Sequence, residues 1–107
     1  MSAGHDRAQA PCYHVEILPE VADIVRGLPP EVKRQIKQAL VHLAGNPEGG
    51  KLLTGELAGL RSYRARRFRL VYQPTESGRR LLILHVGHRR TVYEELAMRV
   101  RGSRPPL

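Results

Sequence analysis

The chain has 107 residues, 41% of them hydrophobic, and a net charge of +8, which supports one domain with a modest core and excludes two. Its longest apolar run, Leu81 to Leu84, is far too short to span a bilayer, and no apolar stretch precedes a cleavage site at the N-terminus. Cys12 is the only cysteine, so an internal disulfide and a cysteine-based zinc site are excluded and a cytoplasmic location is expected.

Charge is unevenly spread. Residues 1–60 hold six Lys/Arg against seven Asp/Glu, whereas residues 61–107 hold twelve against three, and all twelve are arginine. A guanidinium fork meets phosphate oxygens two at a time, where an ammonium offers a point charge. A built phosphate-binding face is favoured over mere solubility.

Residues 1–11 are small, polar and aperiodic and read as a disordered tail. Tyr13 to Leu18 alternates like a strand. Pro19-Glu20 then opens a short helix, since proline is tolerated in a first turn and a carboxylate suits the positive end. Its stripe is Val21, Ile24, Val25 and Leu28. Pro29-Pro30-Glu31 repeats the signal for a longer helix, apolar at Val32, Ile36, Ala39, Leu40 and Leu43, wet at Lys33, Arg34, Lys37 and Gln38, and stopped by Gly45-Asn46-Pro47. Residues 45–51 nearly spell a phosphate loop. Leu52 stands where a hydroxyl would hold magnesium, a helix precedes the loop, and none is signalled after it, so nucleotide binding is rejected.

After a loop with Lys51, Gly55 and Gly59 comes the stretch around which the chain is organised. From Leu60 to Tyr72, arginines at 61, 64, 66, 67 and 69 interleave with Tyr63, Ala65, Phe68, Leu70 and Tyr72. Strand periodicity sends the two sets to opposite faces. Two antiparallel strands with a turn near Ala65 to Arg67 are expected, and which way Arg67 points depends on register. Tyr63, Phe68 and Tyr72 have rings able to stack on bases, but their alternation with the arginines favours core packing. Pro74 to Gly78 is a turn, and Arg80 to Val86 is apolar enough to be a central strand covered on both faces. Thr91 and Glu94 have capping-box spacing, opening a last helix with Val92, Leu96 and Val100 inward and Met98 as filler. Its N-terminus faces the end of the arginine-bearing sheet. The domain spans 12–101, and 102–107 is a tail. The expected fold is α+β, in the order β-α-α-β-β-β-α, with a helical hairpin and a short C-terminal helix on a mainly antiparallel four-stranded sheet.

Asn46-Pro47, Gly50-Lys51-Leu52, Thr54-Gly55, Gly59-Leu60, Ser62-Tyr63-Arg64, Phe68 to Tyr72, and Val86 to Arg90 with Tyr93 together resemble the RelE/ParE superfamily of bacterial toxins, over roughly residues 13–100. The resemblance implies a toxin of a type II toxin–antitoxin pair, partnered by an acidic antitoxin. RelE-like members are ribosome-dependent endoribonucleases that cut messenger RNA. The ParE branch, without the catalytic set, poisons DNA gyrase.

Arg64, Arg69 and Arg89 match the basic catalytic positions of the RelE pattern, and Tyr93 its tyrosine. Cleavage by 2′-hydroxyl attack needs a proton acceptor, a charge holder and a proton donor. Arg69 and Arg89 suit the two non-bridging phosphate oxygens, and Tyr93 suits orienting the nucleotide. Arginine does not deprotonate in proteins, although Arg64 replaces a lysine of the founding members. His88, the ring nearest the site with an ordinary pKa of about 6.5, is therefore the candidate base or acid, with a structural role as the even alternative. His85, inside the apolar strand, is read as structural. Arg61, Arg67, Arg90 and Lys51 are expected to bind RNA. So is Arg66, where many relatives have glycine, with an exposed turn residue as its alternative. Arg79 and Arg80 are read as a solvated face. No cofactor or metal is expected, since no carboxylates or His/Cys cluster at ligand spacing.

Overall fold

A computed structural model describes residues 12–102. Strand β1 (His14–Ile17) leads into helices α1 (Pro19–Arg26) and α2 (Pro30–Gly45). Strand β2 (Lys51–Leu52) and a single 3₁₀ turn (Gly55–Leu57) follow. Then come β3 (Arg61–Ala65), β4 (Phe68–Thr75), β5 (Arg80–His88) and helix α3 (Val92–Gly102). Both early helices carry proline in their first turn, and α1 has Glu20 there and Arg26 in its last, each charge opposing the helix dipole. The expected tails at 1–11 and 103–107 lie outside the described residues, and Gly102 is the last residue of α3.

The small α+β architecture agrees with expectation, but the sheet has five strands, ordered β1-β5-β4-β3-β2. The extra strand is β2, which pairs antiparallel with Arg61 and Ser62. Two residues are too few to show alternation, and their neighbours read as loop. One pairing is parallel, β1 against the first half of β5. The β3–β4 turn is Arg66-Arg67, with Arg64 opposite Arg69 and Ala65 opposite Phe68. Pro74 belongs to β4, opposite Leu81.

Each face of the sheet has its own apolar cluster. On the α1–α2 side, Val21, Ile36, Ala39 and Leu43 pack on Ala65, Leu70, Tyr72, Leu81, Ile83 and Val86. On the α3 side, Val71 packs with Leu57, Val92 and Leu96. A fully buried Leu or Ile contributes about 1.5–3 kcal/mol, so the larger cluster dominates stability. Met98, read as filler, is exposed.

Tyr72 also locks the loop before β2. Its buried hydroxyl accepts from the Gly50 amide at 2.8 Å and donates to the Pro47 carbonyl at 2.9 Å. Burial raises its pKa and so keeps the hydroxyl a protonated donor, against the opposing pull of the hydrogen bond it accepts from Gly50. Gly50 is required by closeness, because a Cβ there would stand 2.6 Å from the Tyr72 hydroxyl and 2.8 Å from the Ser62 carbonyl.

At the start of α3 the expected pairing of Thr91 with Glu94 gives way to another. The Thr91 hydroxyl donates to Glu95 at 2.9 Å, and the other Glu95 oxygen lies 3.0 Å from Nε2 of His85. Gly87 makes room, since a Cβ there would be 2.5 Å from that carboxylate. Arg99 donates to Nδ1 of His85 at 2.8 Å and pairs with Glu20 at 2.8 Å. Arginine can only donate, so Nδ1 is the acceptor and Nε2 carries the proton. This chain ties α1, β5 and α3 together, which gives His85 the structural role expected of it.

Candidate nucleic-acid interface

Strand parity sorts the arginines. Register places Ser62, Arg64, Arg69 and Val71 on the α3 face of the hairpin, with Lys51 beside Ser62, and Tyr63, Ala65, Phe68, Leu70 and Tyr72 on the α2 face. Arg61 shares the second face, so the expectation that all arginines oppose the aromatic rings is corrected there. Its guanidinium donates to the Gly50 carbonyl at 2.8 Å and helps hold the loop.

On the α3 face two of the candidate residues converge. Arg69 Nη1 donates to Ser62 Oγ at 2.9 Å, and the Tyr93 hydroxyl donates to the same oxygen at 2.8 Å. Ser62 is 1% exposed, so this bridge is sheltered and its geometry well defined. Arg69, 7 residues from Ser62 in sequence, and Tyr93, 31 residues from it, thus share one acceptor. Ser62 was quoted above only as part of a motif. Its parity with Arg64 and Arg69 was the available signal that a small hydroxyl sits inside the arginine face.

Arg64 extends the cluster, emerging opposite Arg69 and donating through Nε to the Arg66 carbonyl at 2.9 Å. Arg66 has a φ of 61°, the left-handed region that glycine adopts freely and a side chain strains. The Arg89 amide donates to the Arg67 carbonyl at 2.7 Å, which brings β5's exit onto the turn. Arg64's charge pushes the Arg89 guanidinium below its ordinary value, followed by burial and then by Arg90 and Arg67. Like charges are therefore crowded at this end of the sheet. Among the described residues, Arg61, Arg64, Arg66, Arg67, Arg69, Arg89 and Arg90 make no salt bridge.

His88 is placed differently. It pairs with Phe68 in register, its ring meeting Phe68 edge-on at 5.9 Å, and its Nδ1 accepts from the Arg90 amide at 3.3 Å. It lines a surface cavity with Arg67, Arg89 and Arg90, and no described contact joins it to Arg69 or Tyr93. Lys51 and Tyr93 line another cavity, of about 780 Å³, between β2 and α3. No group of three or more His, Cys, Asp or Glu side chains able to hold a metal ion occurs among the described residues. None of their helices is long and apolar enough to cross a membrane. Chemically, the arrangement offers a row of bidentate cationic donors and a phenol, fitted to a phosphodiester.

Residues 16–93 match the family model described as the ParE toxin of the type II toxin–antitoxin system parDE. Comparison with curated protein sequences finds no match. Among solved structures, the chain is similar to the RelBE2 toxin–antitoxin complex of Mycobacterium tuberculosis, at 29% identity and a TM-score of 0.69, covering 76% of this chain and 95% of that one. It is similar to a mutant Escherichia coli toxin RelE in the free state, at 25% identity and a TM-score of 0.67, covering 83% and 98%. The intact E. coli RelBE toxin–antitoxin complex gives 25% identity and a TM-score of 0.62, covering 71% and 95%.

Proposed function

This chain belongs to the ParE toxin family of type II toxin–antitoxin systems, and from the residues of its site we propose that it is a metal-independent endoribonuclease toxin, cutting messenger RNA on the ribosome and neutralised by a cognate acidic antitoxin. The observation that carries this reading is the meeting of Arg69 and Tyr93 on the Ser62 hydroxyl, with Arg64 opposite Arg69 in register and, among the described residues, no ion pair at Arg64, Arg69 or Arg89. Attack of the 2′-hydroxyl on the adjacent phosphate builds negative charge on two non-bridging oxygens, and the bond to the 5′-oxygen breaks, leaving a 2′,3′-cyclic phosphate and, once protonated, a 5′-hydroxyl. In this reading Arg69, fixed by its bond to Ser62, and Arg89 hold that charge. Tyr93 orients the nucleotide. His88 is the candidate to move the proton, from the cavity it shares with Arg67, Arg89 and Arg90. An acidic antitoxin complements the arginine surplus, and the similarity to toxin–antitoxin complexes supports such a partner.

One observation favours a second reading, a non-catalytic toxin that inhibits DNA gyrase. The ring best suited to accept a proton, His88, contacts Phe68 instead of Arg69 or Tyr93, and a gyrase binder needs no base. Mapping messenger RNA ends after induction, beside a supercoiling assay, separates the two. New cleavage ends lost in Arg69→Ala and Arg89→Ala support the nuclease. Intact messenger RNA with gyrase inhibited overturns it.

A further inference from the structure

The arginine cluster does not stop at the α3 face. Strand β2 covers only Arg61 and Ser62 of β3, so among the described residues the outer edge of Tyr63 to Ala65 carries no strand. Round that edge, on the α2 side, lie two adjoining hollows. One, of about 540 Å³, is lined by Gln35, Arg64, Arg66, Arg67 and Arg89, with Glu31 its only carboxylate. The other, of about 240 Å³, shares Gln35, Arg64 and Arg66 and adds Gln38, His42 and Tyr63. The rings of His42 and Tyr63 are stacked there, with centroids 5.4 Å apart and planes 30° from parallel.

We propose that single-stranded RNA wraps round the open edge of β3, so that a nucleotide flanking the reacting phosphate places its base against the Tyr63–His42 ring pair. This rests on the nuclease reading. The chemistry at each point is that of an unpaired nucleotide. Arg64, on the α3 face by register but lining both hollows, and Arg66 take the backbone phosphate. A half-buried tyrosine backed by the core, with an exposed histidine on it, is a stacking platform. Gln35 and Gln38 each present a donor and an acceptor to a base edge. A single carboxylate among four arginines makes the path attractive to a polyanion and hostile to an acidic-poor protein surface. The positive φ of Arg66 also acquires a use, because it throws that side chain outward at the corner the strand must round.

The test is binding of 2′-O-methyl RNA, which resists 2′-hydroxyl attack, in two lengths: a dinucleotide that fills only the Arg69–Tyr93 side, and an octamer that reaches round the edge. His42→Ala combined with Gln38→Ala removes exposed groups only. It is expected to weaken octamer binding about tenfold, the value of one stacked base, and to leave dinucleotide binding unchanged. Arg69→Ala is expected to weaken both. Tyr63→Phe keeps the ring and is expected to retain octamer binding. If the wild type binds both lengths equally, or the double variant loses both alike, the wrap is overturned while the nuclease reading stands. If the wild type binds neither length, the wrap is overturned, while the nuclease reading is decided separately by the messenger RNA ends mapped after induction. If the double variant weakens antitoxin binding and not RNA binding, the hollow is a protein surface and the inference is overturned.

Discussion

The arginines at the two ends of the sheet live in different company. Far from the hairpin turn, Arg80 pairs with Glu16, Arg99 with Glu20 and Arg101 with Glu56. On α1, Arg26 pairs with Asp23. At the turn, Arg64, Arg66, Arg67, Arg69, Arg89 and Arg90 pair with no carboxylate among the described residues. The fold brings acids of the first sixty residues onto arginines of the last third, and it does so at one end only. Charge density along the chain marked a basic half, while the choice of partners marks which part of that half is left for a ligand. Among the described residues Arg34 and Arg79 make no salt bridge either, but each stands away from the hairpin turn, on α2 and in the β4–β5 turn.

Breaking each group in turn should give opposite phenotypes. Arg69→Ala should lower RNA cleavage by about 10²–10³-fold, the usual effect of removing one charge-stabilising donor, with its thermal melt little changed. Arg99→Ala should do the reverse. Loss of its bonds to Glu20, His85 and the Leu84 carbonyl should cost about 1.5–3 kcal/mol in urea unfolding, with cleavage per folded molecule retained. Gly50→Ala crosses the boundary, since the intruding Cβ presses on Tyr72 and on the strand that carries Ser62. About 1–3 kcal/mol of stability and the Arg69–Tyr93 alignment should be lost together, read by melting and cleavage.

Acid should act on the hydrogen-bond network at the start of α3. Burial pushes the Glu95 carboxyl up, but hydrogen bonds from His85 and Thr91 outweigh it and hold the pKa below the ordinary value. A depressed native pKa stabilises the fold above the unfolded value of about 4.3 and loses that contribution as pH falls through the native one. Unfolding from pH 6 down to pH 3 should show this loss, and Glu95→Gln should flatten it. The smallest effect belongs to the turn. Arg66→Gly relieves the positive φ and should stabilise by about 0.5–1 kcal/mol after the added chain entropy, measured by urea midpoint.

The legible parts of the fold were those written in local signals. Prolines with following carboxylates located both early helices, and the Arg/aromatic alternation located the central hairpin and its two faces. What escaped depended on partners distant in sequence. β2 exists because Arg61 and Ser62 lie beside it. Glu95 displaces Glu94 at the start of α3 because His85 waits across the gap left by Gly87. Arg61 was expected on the same face as Arg64, and the register and the loop carbonyl it binds show otherwise. At the site, the meeting of Arg69 with Tyr93 followed from element order, whereas the serine that joins them and the turning of His88 toward Phe68 needed the register. The resemblance to toxins identified the family, and the unpaired arginines locate its candidate site.

Salt dependence of binding to a non-cleavable single-stranded RNA tests the division between the two arginine groups most directly. Each phosphate contact on a single strand contributes a slope of about 0.7 in log affinity against log salt. Replacing Arg64, Arg69 or Arg89 by glutamine is expected to reduce the slope by about that amount each, while replacing Arg26, Arg80 or Arg101 leaves it unchanged. A flat slope in the wild type, or an equal response from both groups, would contradict a phosphate-binding site at the hairpin turn.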